Sequence, residues 1–555
     1  MICTQGGRAV GKPKKIYPDD PGAFILQLVQ QTVQVDFADD PPIGKDGEPK
    51  FDKKDEALAR FPLNDLGNAT RLLERFGKDL AFIPEIGWFV WNGRHWSAEE
   101  GDEHAARLAH DTARAMRREV LAMIYAGLRE NETMEDFDKR IGRFRRFCID
   151  AGNSGRLTAM LRLAQSYAIK KSSEMDAHKM KVNAGNGTLD LKPSAAAVAK
   201  VDPENAEGVP VLKMKHSRAD YLTFMLGADY DPGAGCPHFY KFLTEVMPDD
   251  KIRAFLQRFY GYCLTGDTRE QIILMFWGGG SNGKSTLMDL MARIMGTYAK
   301  GIPISSLMAS PNKNGGQATP DLARLRSVRY VTSAEPETGE RFSESVIKQM
   351  TGDERLTVRH LNKDFFEFYP EFKAVVSFNN KPSVRGIDEG FWRRICLVPF
   401  SQKFVDAENL AGNPGALPKD LALSDKLEAE MPGILNWILD GYRIWRESGL
   451  MIPDSVRAAT AAYRAEANPV VAFVDDVCLR MAGQTVTGTE MFCAYEIWCA
   501  DNALEPMTNT MFGRKMTDMG IEKQKKGVMI YCDVTLGVQM QNRVMYKING
   551  GKPEG

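Results

Sequence analysis

Gly278-Gly279-Gly280-Ser281-Asn282-Gly283-Lys284-Ser285 fits the pattern GxxxxGK followed by Ser or Thr, position by position. Glycines let consecutive backbone N–H groups turn inward around phosphate oxygens. Lys284 brings a point charge to the outer phosphates, and the Ser285 hydroxyl is placed to ligate Mg²⁺. Thr286 follows at the start of the expected helix, where the dipole favours an anion. The implied ligand is ATP with Mg²⁺, held by Gly278, Gly279, Gly280, Ser281, Asn282, Gly283, Lys284, Ser285 and Thr286.

Such a loop works only if a strand delivers it and a helix receives it. Gln271 to Trp277 is a buried-strand run, and Leu287, Met288, Leu290, Met291, Ile294 and Met295 recur at helical spacing before Gly296 stops the helix. A second strand, Ser327 to Ala334, ends at Glu335. If both strands share a parallel sheet, Glu335 lies beside the phosphate loop and is the candidate for polarising the attacking water. Glu337 is the weaker choice, because Pro336 turns the chain between them. A third strand, Phe372 to Phe378, ends at Asn379-Asn380-Lys381-Pro382. An amide at Asn379 can orient the water or sense the γ-phosphate; an ordinary turn is the competing reading. Phe391-Trp392-Arg393-Arg394-Ile395 precedes the strand Cys396 to Val398. An arginine at a sheet edge can supply transition-state charge to a neighbouring subunit's nucleotide, with surface ion pairing the alternative for Arg393 and Arg394 alike.

The rest of the chain bounds what these residues serve. Its 555 residues exceed a single-domain length several times over, and 43% apolar with 26% charged residues argues against disorder, fibrous repeats and a membrane protein. Lys and Arg total 72 against 73 Asp and Glu, so any nucleic-acid surface must be a local patch. Nine cysteines without a CxxC pair fit neither a zinc ribbon nor a disulfide framework, and no signal core or long apolar run is present. A reducing cytoplasm is expected, with no membrane partner. Residues 1–63 mix Pro, Gly and charge and read as a flexible leader. Ala69 to Phe76 is expected as a helix and Gly87 to Gly93 as a strand entering an Asn-Gly turn, its aromatic residues and Trp96 in the core, with stacking on bases the alternative. Helices are expected from Asp102 to Tyr167, one carrying Lys139, Arg140, Arg143, Arg145 and Arg146 on a solvated face, with phosphate contact the alternative. A Pro- and Gly-containing connector around Gly412 to Pro418 precedes a tail of short helices with a two-stranded end.

Taken together, GGGSNGKS, Ser333-Ala334-Glu335, Gly352-Asp353 with Arg359 to Lys363, Asn379-Asn380-Lys381-Pro382 and Phe391-Trp392-Arg393-Arg394 resemble the superfamily III helicases. More closely they resemble the phage and plasmid primase-helicases related to the poxvirus primase-helicase. The similarity runs from about Asn64 to Phe400 and includes Gly87 to Trp96, Gly187 to Leu191 and Tyr260 to Asp267. The resemblance implies an α/β fold: a P-loop AAA+ core with a parallel sheet, a mixed α+β N-terminal region and a small C-terminal winged-helix-like domain. The expected boundaries are 64–240, 241–410, a connector over 411–467, and 468–555. It also implies a homo-hexameric ring that hydrolyses ATP and moves on single-stranded DNA. Lys284 and Ser285 would hold nucleotide and metal, Glu335 would activate water and complete the metal site, Asn379 would sense, and Arg394 or Arg393 would be the finger. Paired acids common in relatives are not evident, because Ala334 stands before Glu335. A hairpin over Thr357 to Phe366 would enter the ring channel, with Arg359, His360, Lys363 and Phe365 on DNA.

The expected function is an ATP-dependent DNA helicase for phage, prophage or plasmid replication. It would act on single-stranded and forked duplex DNA alongside a separate primase or replication initiator. The alternatives are an origin-binding initiator ATPase without processive unwinding and an NTPase switch acting on a protein partner. A primase activity of its own is not expected, since the leader offers little beyond Asp36, Asp39 and Asp40 in a Pro-rich context.

Overall fold

A computed structural model of the chain describes residues 20, 23–25, 27–28, 51–193, 212–309, 319–334, 341–352, 354–359, 361, 364–382, 384, 389–467, 469–502 and 504–549. They form two compact units. The first takes residues up to Ala177 with His216–Thr223, and the second His178–Lys215 with Phe224 onward.

In the first unit, Asn64 caps the helix Asp65–Phe76 by accepting a hydrogen bond from the Gly67 amide at 2.8 Å. An antiparallel meander of Leu80–Ile83, Gly87–Trp91 and Trp96–Ser97 follows, with Trp88, Phe89 and Trp96 buried. Helices Gly101–Tyr125, Met134–Ala151 and Ser154–Ala168 complete it. In the basic cluster, Arg140 grips Glu132 with two contacts of 2.7 Å and Lys139 lies 2.8 Å from Glu135. These cations are therefore already spent on local acids. Within 1–63, Phe24 and Leu28 are buried among Phe137, Ile141 and Phe144, and Lys53–Leu58 is a helix capped by Asp52.

The second unit is built on a five-stranded, all-parallel sheet. Its strands are β1 (Ile273–Trp277), β2 (Ala299–Gly301), β3 (Tyr330–Ala334), β4 (Lys373–Phe378) and β5 (Ile395–Pro399), in the spatial order β5-β1-β4-β3-β2. Strands covered on both faces read as unbroken apolar runs, which is why Ile-Leu-Met-Phe of β1 and Ala-Val-Val of β4 stand out. Leu274 and Phe276 enter the core on one face of the sheet, Ile273 and Met275 the core on the other. Helix α1 (Lys284–Met295) is the crossover after β1, stopped at Gly296. The strand ending at Ala334 shares the sheet but is not β1's neighbour. Strand β4 lies between them, placing β3 two strand spacings, about 9.6 Å, from the phosphate-loop strand.

The tail departs from the expected two-stranded end. Helix Pro469–Val477 leads to strand Cys478–Thr487, helices Gly488–Asp501 and Asn509–Asp518, the hairpin Lys523–Lys526 with Val528–Leu536, and helix Val538–Ile548. The sheet has three strands with Val528–Leu536 in the middle, over a core including Phe473, Tyr495, Phe512 and Tyr531. Among the described residues, eight cysteines are free, no helix is long and apolar enough to cross a membrane, and no cluster of three or more His, Cys, Asp or Glu is arranged to hold a metal.

Candidate nucleotide site

Strand β1 ends at Trp277, and the glycine loop carries the chain round into α1. Gly283 has φ +83°, and a Cβ there would stand 2.6 Å from a Val246 methyl, so conformation and space both demand glycine. The loop is tied at two further points: the Asn282 amide donates to the Phe400 carbonyl at 3.2 Å, and the Phe404 N–H donates to the Ser281 carbonyl at 2.8 Å. No side chain caps the first turn of α1, which leaves the positive end of its dipole facing the loop.

Lys284 is buried at the start of α1. Its ammonium donates to the carbonyls of Gly278 (2.6 Å) and Gly279 (3.0 Å) and to the side-chain oxygens of Asn282 and Asn379, both at 3.1 Å. These four acceptors are neutral oxygens, which hold the ammonium in place at the loop. Asn379 arrives through sheet register. Phe378 is the parallel partner of Trp277, so Gly278 and Asn379, the next residue on each strand, leave the sheet at the same edge. The Trp277 indole N–H also donates to the Asn379 carbonyl at 3.1 Å. These groups bound a cavity of about 200 Å³ lined by Gly280 to Thr286, Ser377, Phe378 and Asn379.

A larger cavity, about 820 Å³, shares Ser281, Gly283 and Thr286 with the first. Its walls are Phe242, Phe404, Leu421 and Leu423, rimmed by His238, Lys241, Lys419 and Lys426. Pro418, at the end of the stretch read as a connector, lines this cavity at the loop, because Phe404–Val405 pairs in parallel with Leu417–Pro418. Sequence reading missed this, and only Phe404, an apolar residue beyond β5, hinted at it.

The other expected residues are placed as follows. Ser285 is exposed on the first turn of α1 and Thr286 is half-buried. Ser333 on β3 donates to the Ile302 carbonyl. Glu335 and Glu337 lie outside the described residues. Arg393 is exposed and reaches the Gln271 side chain at 3.4 Å. Arg394 is 8% exposed and its guanidinium donates to the Gly390 carbonyl. The Arg394 carbonyl accepts from Ile273, the first residue of β1, so both arginines lie about 15 Å along that strand from the loop. Leu356–Val358 and Phe366–Phe368 form the expected hairpin, with Leu361 and Phe365 exposed near its tip and the Arg359 guanidinium 4.7 Å from the Phe365 ring. His360, Asn362 and Lys363 lie outside the described residues. Lys381, within the Asn379 to Pro382 motif, lies against Trp277, Tyr463 and Glu466.

Residues 69–248 match the family described as D5 N terminal like, and residues 276–394 match a family of unknown function. A putative helicase of Acanthamoeba polyphaga mimivirus is 30% identical over 43% of this chain and 26% of its own length. A putative helicase of Frog virus 3 (isolate Goorha) is 28% identical over 47% of this chain and 28% of its own. The chain therefore spans little more than a quarter of each of these relatives. A putative primase of African swine fever virus is 27% identical over 31% of this chain and 18% of its own. Among solved structures, the apo C-terminal region of NrS-1 aligns over 55% of this chain and 77% of its own at 14% identity, with a TM-score of 0.37.

Proposed function

We propose that this chain, a D5-type relative of viral helicases and primases, is an ATP-driven motor that moves on single-stranded DNA as a ring. The observation that carries this reading is the contact between Lys284 and Asn379, 3.1 Å apart at the mouth of the glycine loop although they follow different strands, β1 and β4. A buried lysine ammonium beside main-chain N–H groups is suited to the charge that develops on a transferring phosphoryl group, because low dielectric strengthens the interaction and the protein need not reorganise.

In this reading the small cavity takes the phosphates and the larger one the nucleoside, between Phe242 and Phe404. Lys284 moves from the Gly278 and Gly279 carbonyls to phosphate oxygens. Asn379 reports whether the outer phosphate is present and helps orient water, with Glu335 as the base. The cradle fits the triphosphate, since Cβ atoms at Gly279 and Gly280 would meet nothing within 4 Å. Ser285 would ligate Mg²⁺ together with Glu335 and water, which suits an ion that keeps much of its own hydration. When bound, Mg²⁺ supplies positive charge to the phosphate oxygens. An arginine from the next protomer completes the charge: Arg394 by motif, Arg393 by exposure. The hairpin residues Arg359, His360, Lys363 and Phe365 contact DNA.

The test is ATP turnover and fork unwinding by the wild type beside Lys284→Ala. Turnover should fall about 100-fold or more, with unwinding lost. Unchanged turnover in the variant would remove the site from consideration.

A second reading, a duplex-binding initiator without processive unwinding, is favoured by the C-terminal module. Its order of helix, strand, two helices and hairpin supports reading it as winged-helix-like, and Arg514 and Lys525 are exposed on the third helix and the hairpin. A forked duplex with and without ATP separates the two: an initiator binds and leaves the fork paired.

A further inference from the structure

Asn379 stands at the start of an exposed turn, yet its side chain must meet Lys284. The groups fastening that turn are unusual for a surface loop. The Trp277 indole N–H donates to the Asn379 carbonyl. Two residues on, the Lys381 ammonium lies 4.0 Å from the centre of the same indole and 5.7 Å from that of the Tyr463 ring, and meets the Glu466 carboxylate with contacts of 2.7 and 2.9 Å. The Tyr463 hydroxyl donates to the Pro382 carbonyl at 2.5 Å. Glu466 and Tyr463 belong to helix α2 (Asp454–Ala467), itself fixed to the sheet where the Leu397 N–H donates to the Thr460 hydroxyl, and to the short helix Glu389–Trp392 where Arg464 meets Glu389 at 2.6 Å.

We infer that Lys381 is a positioning residue: with Glu466 and the Trp277 ring it clamps the Asn379 turn against the phosphate loop. The inference rests on the nucleotide-site reading above and adds to it the groups that hold Asn379 in place. An ammonium over an indole face and paired with a carboxylate gains from both partners. The Lys381 side chain is 15% exposed and that of Glu466 is 54%. Removing the lysine therefore leaves behind a well-solvated carboxylate rather than a buried, unpaired charge, so the variant keeps its fold while the turn loosens. The cost falls on geometry at Asn379, where small displacements have large kinetic effects.

The experiment uses the full chain with Lys381→Met, Lys381→Arg and Glu466→Gln. Lys381→Met should lower kcat for ATP about ten-fold while KM stays within about two-fold, and Lys381→Arg should restore most of kcat. Glu466→Gln should shift kcat the same way by less. Hydrogen exchange on the nucleotide-free chain reads the clamp itself: amides from Phe378 to Asn380 should exchange faster in Lys381→Met and return in Lys381→Arg. Exchange unchanged in Lys381→Met, or a fall in kcat that Lys381→Arg fails to restore, would overturn the inference. Turnover that survives Lys284→Ala would end the nucleotide-site reading, and the exchange measurement would still decide the clamp.

Discussion

Two buried lysines at opposite ends of the sheet are tuned for different ends. Lys284 donates to carbonyl and amide oxygens that a phosphate can replace. Lys373, the first residue of β4, is sealed at the other end, where its amine donates to the carbonyls of Thr265, Glu371 and Asp267 and lies 4.5 Å from the centre of the Tyr262 ring. Burial pushes it down to about 7, with Arg329 acting in the same direction and Cys263, Glu371 and Asp267 opposing. Between that value and the ordinary 10.5, the unfolded chain holds a proton that the folded chain has released. Stability from this group must therefore rise with pH through the window and level off above it. Thermal melts from pH 7 to 10 should show the wild type gaining on Lys373→Met as pH rises; parallel curves would disprove it. Lys284 and Asn379 were both legible from motif and strand end. Lys373 was not, because its burial comes from the turn at Thr265 to Asp267 folding over a strand a hundred residues later.

At the level of elements, legibility followed burial. Four of the five sheet strands, β1, β3, β4 and β5, were recognisable to within about three residues because their apolar residues are buried in the sheet; β2, three residues at the sheet edge and only partly buried, carries no such signal and was missed. Strand Cys478–Thr487 was missed because it lies at a sheet edge, with Arg480, Gly483 and Gln484 exposed and no alternation to betray it. The hairpin between β3 and β4 was legible from its aromatic and basic residues, and it makes a separable prediction. Loss of a stacking ring at Phe365→Ala should weaken single-stranded DNA binding by about 1–3 kcal/mol at unchanged salt dependence. Lys363→Ala should instead flatten the slope of log affinity against log salt by about one ion. Anisotropy titrations at several salt concentrations check both, and wild-type affinity and slope in both variants would exclude the hairpin as the contact.

At the scale of the whole molecule, the nucleotide loop and the arginines before β5 lie at opposite ends of one strand, so under the proposed function an arginine of this pair would have to serve the site of a neighbouring chain. Mixing Arg394→Ala with Lys284→Ala protomers should therefore recover part of the turnover that each lacks alone, as some interfaces then carry both intact groups. Mixtures no more active than their components would exclude action across an interface, and repeating the experiment with Arg393→Ala decides between the two guanidiniums. Assembly is also the level least legible in the sequence, since balanced charge and a core built within each unit say nothing of neighbours. Finally, Lys284 and Asn379 meet across 95 residues because adjacent strands point the same way, whatever the chain does in between. The connections between those strands are thus where length can vary: the hairpin of Leu356–Val358 and Phe366–Phe368 can grow, shrink or be exchanged while strand register keeps the two side chains together.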